Sequence, residues 1–219
     1  MKSSLSNNTK LLIAALIAGA ALLVLFYRAP LLMASKVDLS IPYVSQIPDG
    51  QWVAPWDEAC EEATIAMVDA YYRGEAAIDN AASKKKMQEM IEWETREFNK
   101  NFDTDAAQTT QIIAENSVFR ATVKRNPLLQ DIKQELASNR PVIAHLNMYK
   151  LYQEKNLGDS YHVLVITGYD DETNQFIVND PAREGKRYAY EVLMNALHDF
   201  NPKTREADGV PTVLFTNKP

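Results

Sequence analysis

The sequence predicts an α+β domain in which helices come first and an antiparallel sheet follows. Three observations carry that reading. Between Asp57 and Ser138 apolar residues recur at helical spacing. From Pro141 onward, short runs rich in Val and Ile take over, divided by Asp, Asn and Gly turns. Ahead of both lies a charge-free apolar stretch of another kind, Leu11–Tyr27.

Leu11–Tyr27 is seventeen apolar or aromatic residues, the lower bound for a membrane-spanning helix. Lys2, Lys10 and the free amine precede it, and only Arg28 follows closely. The positive-inside rule then leaves residues 1–10 in the cytoplasm and sends the remainder out. The exit Met33-Ala34-Ser35 is a poor cleavage site, and the apolar run is long for a removable signal. An uncleaved single-pass anchor in the cell membrane is therefore expected over 11–27, with a secreted domain as the alternative. Residues 28–40 read as a linker and 41–219 as one extracytoplasmic domain, in an organisation that looks bacterial.

Within that domain Pro42, Pro48, Gly50 and Pro55 break any helix, so residues 41–55 read as a short strand and loops. Cys60, Ala63, Thr64, Met67 and Tyr71 then mark a helix face, with Asp57 as its cap and Gly74 as its stop. Lys84–Phe102 reads as a second helix with Met87, Met90, Ile91 and Phe98 inward, and Asp105–Glu115 as a third. Asn126-Pro127 signals the start of a fourth, running to Ser138. Strands follow at Pro141–Asn147, Tyr161–Asp170 and Gln175–Asp180, the last two forming a hairpin about Asp170–Asn174. A weak strand at Arg187–Tyr190, a short helix at Glu191–Asp199 and a strand at Pro211–Phe215 complete the domain.

The net charge is −6, and residues 1–36 carry +4 of it. The domain is therefore strongly acidic, which excludes a nucleic-acid surface, since phosphate binding needs clustered cations. Cys60 is the only cysteine, so no internal disulfide forms. There is no CxxC and no HExxH, so neither a structural zinc nor any other cofactor is expected.

A lone cysteine in the first turn of a helix sits where free amides and the helix dipole favour a thiolate. A thiolate nucleophile needs a histidine, and that histidine needs an orienting group. Of the three histidines, His162 opens an apolar strand, whereas His145 lies mid-strand as a structural residue and His198 falls in a polar segment. With the hairpin centred near Asp171, His162 pairs with Asp180, and a register shift of two would still leave them diagonal and in reach. Inert burial of Cys60 is the alternative that spacing alone leaves open.

The segments "IPYVSQ", "ACEEATIAM" and "YHVLVITGYDDETNQFIVNDPA" resemble the bacteriocin-processing, double-glycine leader peptidases and especially their stand-alone relatives. The resemblance runs from Ile41 to about Phe200. It implies a papain-like cysteine peptidase acting on a peptide or protein, with Cys60 as nucleophile, His162 as general acid/base and Asp180 as orienting carboxylate. Gln46 would supply the oxyanion-hole amide beside the Cys60 backbone N–H. Trp52 and Trp56 are candidates for a substrate groove, and Glu61 for contact with a basic substrate residue. The family commonly has Cys-Gly-Pro where this chain has Cys60-Glu61-Glu62, and double-glycine specificity is not implied. Two alternatives stand beside this reading: a cell-wall endopeptidase or amidase of the NlpC type, and an inactive papain-like fold that binds peptides.

Overall fold

One strand, Tyr161–Asp170, is buried at all ten positions, and the domain is arranged around it. The computed structural model describes residues 33–99 and 103–218. The apolar segment 11–27 lies outside the described residues. Among those described, no helix is long and apolar enough to cross a membrane.

The chain enters through β1 (Lys36–Asp38), inside the stretch read as linker, and passes a 3-10 turn at Trp56–Glu58. Helices α1 (Cys60–Arg73), α2 (Asn80–Phe98) and α3 (Ala106–Asn116) follow, then β2 (Arg120–Arg125) and α4 (Leu129–Ala137). Strand β3 (Val142–Asn147), helix α5 (Met148–Tyr152), and the hairpin β4 (Tyr161–Asp170) and β5 (Gln175–Asn179) come next. Strand β6 (Lys186–Ala189), helix α6 (Tyr190–Ala196) and β7 (Thr212–Asn217) end the domain. The sheet is antiparallel in the order β2-β7-β3-β4-β5-β6. Strand β1 pairs with the far end of β4, on the edge that β3 has left by Ile166.

Several elements start where local chemistry places them, not where the sequence reading did. Helix α1 begins at Cys60 with Ala59 as its cap, because Asp57 is taken up in the preceding 3-10 turn. Gly74 ends it in the left-handed conformation, φ 76°. The Asp79 carboxylate accepts the N–H groups of Ala81 and Ala82, which moves the start of α2 ahead of Lys84. Asn126 turns left-handed, φ 49°, so α4 begins later, and Asp131 accepts the Leu128 N–H at 3.1 Å. The segment Ile41–Ile47 is not a strand. It is tied down by Asn179 Nδ2 donating to the Ile41 carbonyl at 2.9 Å and by the Gln46 N–H donating to Pro181 at 3.1 Å.

The central strands β3 and β4 are buried along their whole length, with helices on both faces. Tyr161, Val163 and Val165 of β4, with Ile143 and Leu214, join the core formed with Met67 of α1, Met87 and Met90 of α2, and Ile112 of α3. On the other side α4 covers β4 and β3 with buried Ile132 and Leu136. The sequence reading had helices packed on the sheet, and this second layer adds to it.

Two close contacts lead to predictions. A Cβ on Gly168 would stand 2.1 Å from the Val37 carbonyl oxygen and 2.9 Å from the Asp38 Cα, where β1 crosses the bulge in β4. Gly168→Ala should cost about 1–3 kcal/mol, seen as a lower urea midpoint at unchanged slope. An unaltered midpoint would mean that β1 is not held there. Between α1 and α2, Glu62 hydrogen-bonds Glu94 with both side chains buried. Burial, then the Glu94 charge and hydrogen bond, raise the Glu62 carboxyl well above the usual range. An acid raised on folding adds stability that is complete below its unfolded value, near 4.3, and is lost as pH rises through the folded one. Glu62→Gln should therefore flatten the fall in Tm between pH 5 and pH 8. Each kcal/mol recovered appears as about 2–4 °C. Parallel melting curves for the two proteins would refute it.

Candidate active site

The open end of β4 builds the site. Strand β5 pairs with β4 only from Val165 onward, so Tyr161 and His162 have no strand on that side and the chain after Asn179 fills the gap. The observed pairing, Val165 with Asn179 and Ile166 with Val178, is shifted by two residues from the register expected of the hairpin. His162 and Asp180 are thus diagonal, not directly opposed, and they still meet: His162 Nε2 lies 2.8 Å from Asp180 Oδ1.

Asp180 has no exposed surface and His162 is 2% exposed. Such a carboxylate must be met by donors. Oδ1 also accepts the Ala182 N–H at 3.0 Å, while Oδ2 accepts the hydroxyls of Tyr152 at 2.8 Å and Tyr188 at 3.2 Å. Burial alone would raise this carboxyl. The His162 charge and hydrogen bond, with the Tyr152 and Ala182 donors, outweigh it and bring Asp180 below the usual range. With Nε2 bonded to Asp180, Nδ1 is the ring nitrogen left to exchange a proton elsewhere.

A cleft of about 240 Å³ opens beside this pair, and Gln46, Trp52, Cys60 and His162 all line it. Tyr161, Asp57, Glu58, Asp103 and Arg205 share the lining. Residues from four separate stretches of chain are therefore brought to one place. Gln46 is 2% exposed, and its Nε2 donates to the carbonyls of Trp56 at 3.3 Å and Asp57 at 3.4 Å, in the turn that leads into Cys60. Its Oε1 is buried without a hydrogen-bond partner.

Other candidates fall elsewhere. Trp56 is 7% exposed and belongs to the core, with Lys84 Nζ 5.6 Å from its ring centre. Trp52, 54% exposed, keeps a place at the cleft. Glu61 is 1% exposed and does not line the cleft. It turns inward, where Oε2 accepts the Cys60 Sγ–H at 3.0 Å and Oε1 accepts the Thr104 N–H at 2.7 Å and hydroxyl at 3.1 Å. A role in gripping a basic substrate residue is thus corrected by its burial. His145 is wholly buried, its Nδ1 meets the Tyr161 hydroxyl, and burial lowers its pKa to about 3, so it stays neutral.

The thiol itself departs from expectation. Its place at the first position of α1 was expected to favour the thiolate. Burial comes first in opposing that, followed by the charges of Glu61 and Asp103 and the hydrogen bond to Glu61, and together they push the thiol well above its ordinary value. Tyr152, Tyr188 and Thr104 carry no motif that would mark them in the sequence. Tyr161 had only its place beside His162. Among the described residues, no group of three or more His, Cys, Asp or Glu is placed to hold a metal ion.

The Peptidase_C39 like family matches this chain over residues 38–206. Among solved structures, a putative C39-like peptidase from Bacillus anthracis is similar with a TM-score of 0.52 and 16% identity, over 82% of this chain and 96% of that one. A double glycine motif protease from an AMS/PCAT transporter, in complex with its leader peptide, has a TM-score of 0.41 and 18% identity over 82% and 94% of the two chains. Xylellain, a cysteine protease from Xylella fastidiosa, has 0.40 and 15% over 84% and 86%. The first of these speaks for the fold; the other two add nothing to it. No curated protein matches the chain. The family match extends from β1 to just short of β7, across every residue of the cleft, and by it the chain belongs to the Peptidase_C39 like family of cysteine peptidases.

Proposed function

We propose that this chain hydrolyses peptide bonds through Cys60, His162 and Asp180, outside the cell and held to the membrane by residues 11–27. The observation that carries the catalytic part is the buried 2.8 Å bond between His162 Nε2 and Asp180 Oδ1, beside the cleft that Cys60 lines. Family membership supports a peptide or protein substrate.

The chemistry follows from those groups. The Cys60 proton passes to His162 as sulfur bonds to the substrate carbonyl carbon, and the carbonyl π pair moves to oxygen. The Cys60 N–H, free of any intrahelical partner at the first helical position, and the Gln46 amide stabilise that oxyanion. For this the amide turns one N–H from the Trp56 and Asp57 carbonyls toward the cleft. His162 then protonates the leaving amine, the C–N bond breaks, and a thioester remains. Water loses a proton to His162 and attacks, releasing the acid and restoring the thiol. Asp180 keeps one ring orientation throughout and stabilises the imidazolium.

The test is hydrolysis of a diverse peptide mixture by the full chain, read by mass spectrometry. Cys60→Ala should abolish cleavage. Asp180→Asn should lower kcat by about 10⁴-fold, and Gln46→Ala by about 10²–10³-fold. Cleavage that persists in Cys60→Ala would end the catalytic reading. The Glu61 contact with the thiol favours a second one, an inactive peptide-binding fold. Stoichiometric peptide capture without turnover, equal in wild type and Cys60→Ala, would establish it. Anchoring has its own test: alkaline washing should leave the full chain with membranes and release a chain beginning at Ser35. Release of both would remove the anchor.

A further inference from the structure

Cys60 and Glu61 are consecutive in a helix, so their side chains leave the axis about 100° apart. They meet nonetheless, Sγ donating to Oε2 at 3.0 Å. Glu61 is held in that position from the other side. Its Oε1 takes both the N–H and the hydroxyl of Thr104, and Thr104 is itself fixed. The Thr104 carbonyl accepts the Tyr161 hydroxyl at 2.7 Å, and its hydroxyl meets that of Thr109 at 3.0 Å. Thr104 and Thr109 have no exposed surface. The thiol contact therefore belongs to a buried, fully built polar cluster and not to a mobile surface pair.

We propose that Glu61 is a positioning residue for the peptidase reaction: in the resting molecule it keeps the proton on Cys60 and fixes Sγ, and the nucleophile is freed only when this hydrogen bond is given up. The inference rests on the reading of Cys60 as nucleophile. On release the S–H proton passes to His162 and the sulfur lone pair forms the bond to the carbonyl carbon. The carbonyl π pair moves to oxygen, and Glu61 keeps its two Thr104 donors without gaining a proton.

The charged and titratable groups about the pair come from every neighbouring element. Glu62 shares its helix, Asp103 stands in the segment before α3, and Tyr161 and His162 come from β4. Across the cleft lie Asp57, Glu58 and Arg205. Glu61 is the one among them bonded to sulfur. Its burial, with Glu62 and Asp103 nearby, raises its own carboxyl as well.

Because Cys60 is the sole cysteine, alkylation of the full chain in detergent reads this thiol alone. In wild type the labelling rate should rise only above the ordinary thiol value near 8.5. In Glu61→Gln the midpoint should fall by about one unit or more, making labelling at pH 7 about tenfold faster. Glu62→Gln, which does not touch sulfur, should move it less. A Glu61→Gln profile that superimposes on a folded wild type overturns the proposal, and so does rapid wild-type labelling at neutral pH. Circular dichroism checks the fold of the variant. If it does not fold, Thr104→Ala, which removes the hydroxyl donor that helps hold Glu61, should move the midpoint instead; an unchanged midpoint in that variant, or a wild-type midpoint at or below about 8.5, refutes the inference. Peptide hydrolysis measured alongside separates the two readings. Cys60-dependent cleavage with an ordinary thiol profile sinks only the Glu61 role. A profile that shifts in Glu61→Gln, with no cleavage by either protein, sinks only the peptidase reading.

Discussion

A carboxylate with no exposed surface must be surrounded by donors or give up its charge, and Asp180 meets that constraint by drawing four parts of the chain together. His162 comes from β4, Tyr152 from the end of α5, Tyr188 from β6, and the Ala182 N–H from the turn after Asp180 itself. Each element is held in place by the sheet or by the loop that leaves it, so the imidazole cannot turn without leaving Oδ1 to the Ala182 N–H alone. Tyr152 and Tyr188 serve the whole arrangement in the same way. They hold the second oxygen, leaving the first for His162. The Arg183 guanidinium, 3.8 Å from the centre of the Tyr152 ring and paired with Glu154, closes the outer side of this group.

The same residue type behaves in opposite ways within one domain, and the surroundings account for it. Asp180 is lowered because a cationic partner and neutral donors act together against burial. Glu61 and Glu62 are raised because burial is joined by like charges, from Glu62 and Asp103 on Glu61 and from Glu94 and Asp103 on Glu62. One carboxylate is arranged to stabilise positive charge on an imidazole, and the other to discourage negative charge on sulfur. Position along the chain says nothing of this difference. Glu61 follows Cys60 directly and Asp180 follows the strand paired with the one that presents His162, and only the donor set distinguishes them.

What was legible in the sequence was legible for physical reasons. Tyr161–Asp170 stood out because a strand buried on both faces needs an unbroken apolar run, and its bounds agree with the reading. The hairpin was readable from its turn, although the turn is centred later than expected and the bulge between Ile166 and Gly168 takes back one residue, leaving the register two off, which periodicity does not encode. His162 and Asp180 remained in reach because diagonal neighbours also touch. Strand β2, Arg120–Arg125, was missed because it is short, half exposed and rich in charge. Strand β1 was missed because three residues beside an apolar segment carry no pattern. Thr104 was out of reach altogether, since its backbone N–H is one that any residue but proline would supply and its hydroxyl meets Glu61 only through the fold.

The contest at Cys60 is settled by magnitude. A helix N-terminus favours an anion by about 0.3–1 kcal/mol, and by up to about 2 kcal/mol in a partly buried site. A full unit charge about 4 Å away, at the effective dielectric of about 20 that suits protein interiors, opposes it by about 4 kcal/mol, an upper bound for Glu61, whose own carboxyl is raised by burial. Burial is the first cause that opposes the thiolate, and Glu61 adds to it with its oxygen 3.0 Å from sulfur. The dipole therefore loses, and the thiol at the head of α1 stays protonated at rest. On the proposed peptidase reading His162, which lines the same cleft as Cys60, is the group that reverses the balance, because an imidazolium stabilised by Asp180 supplies the positive charge that the dipole alone does not. In the proposed peptidase reaction the thiolate then exists only together with the imidazolium, and Asp180 acts on the proposed nucleophile as much as on the proposed base.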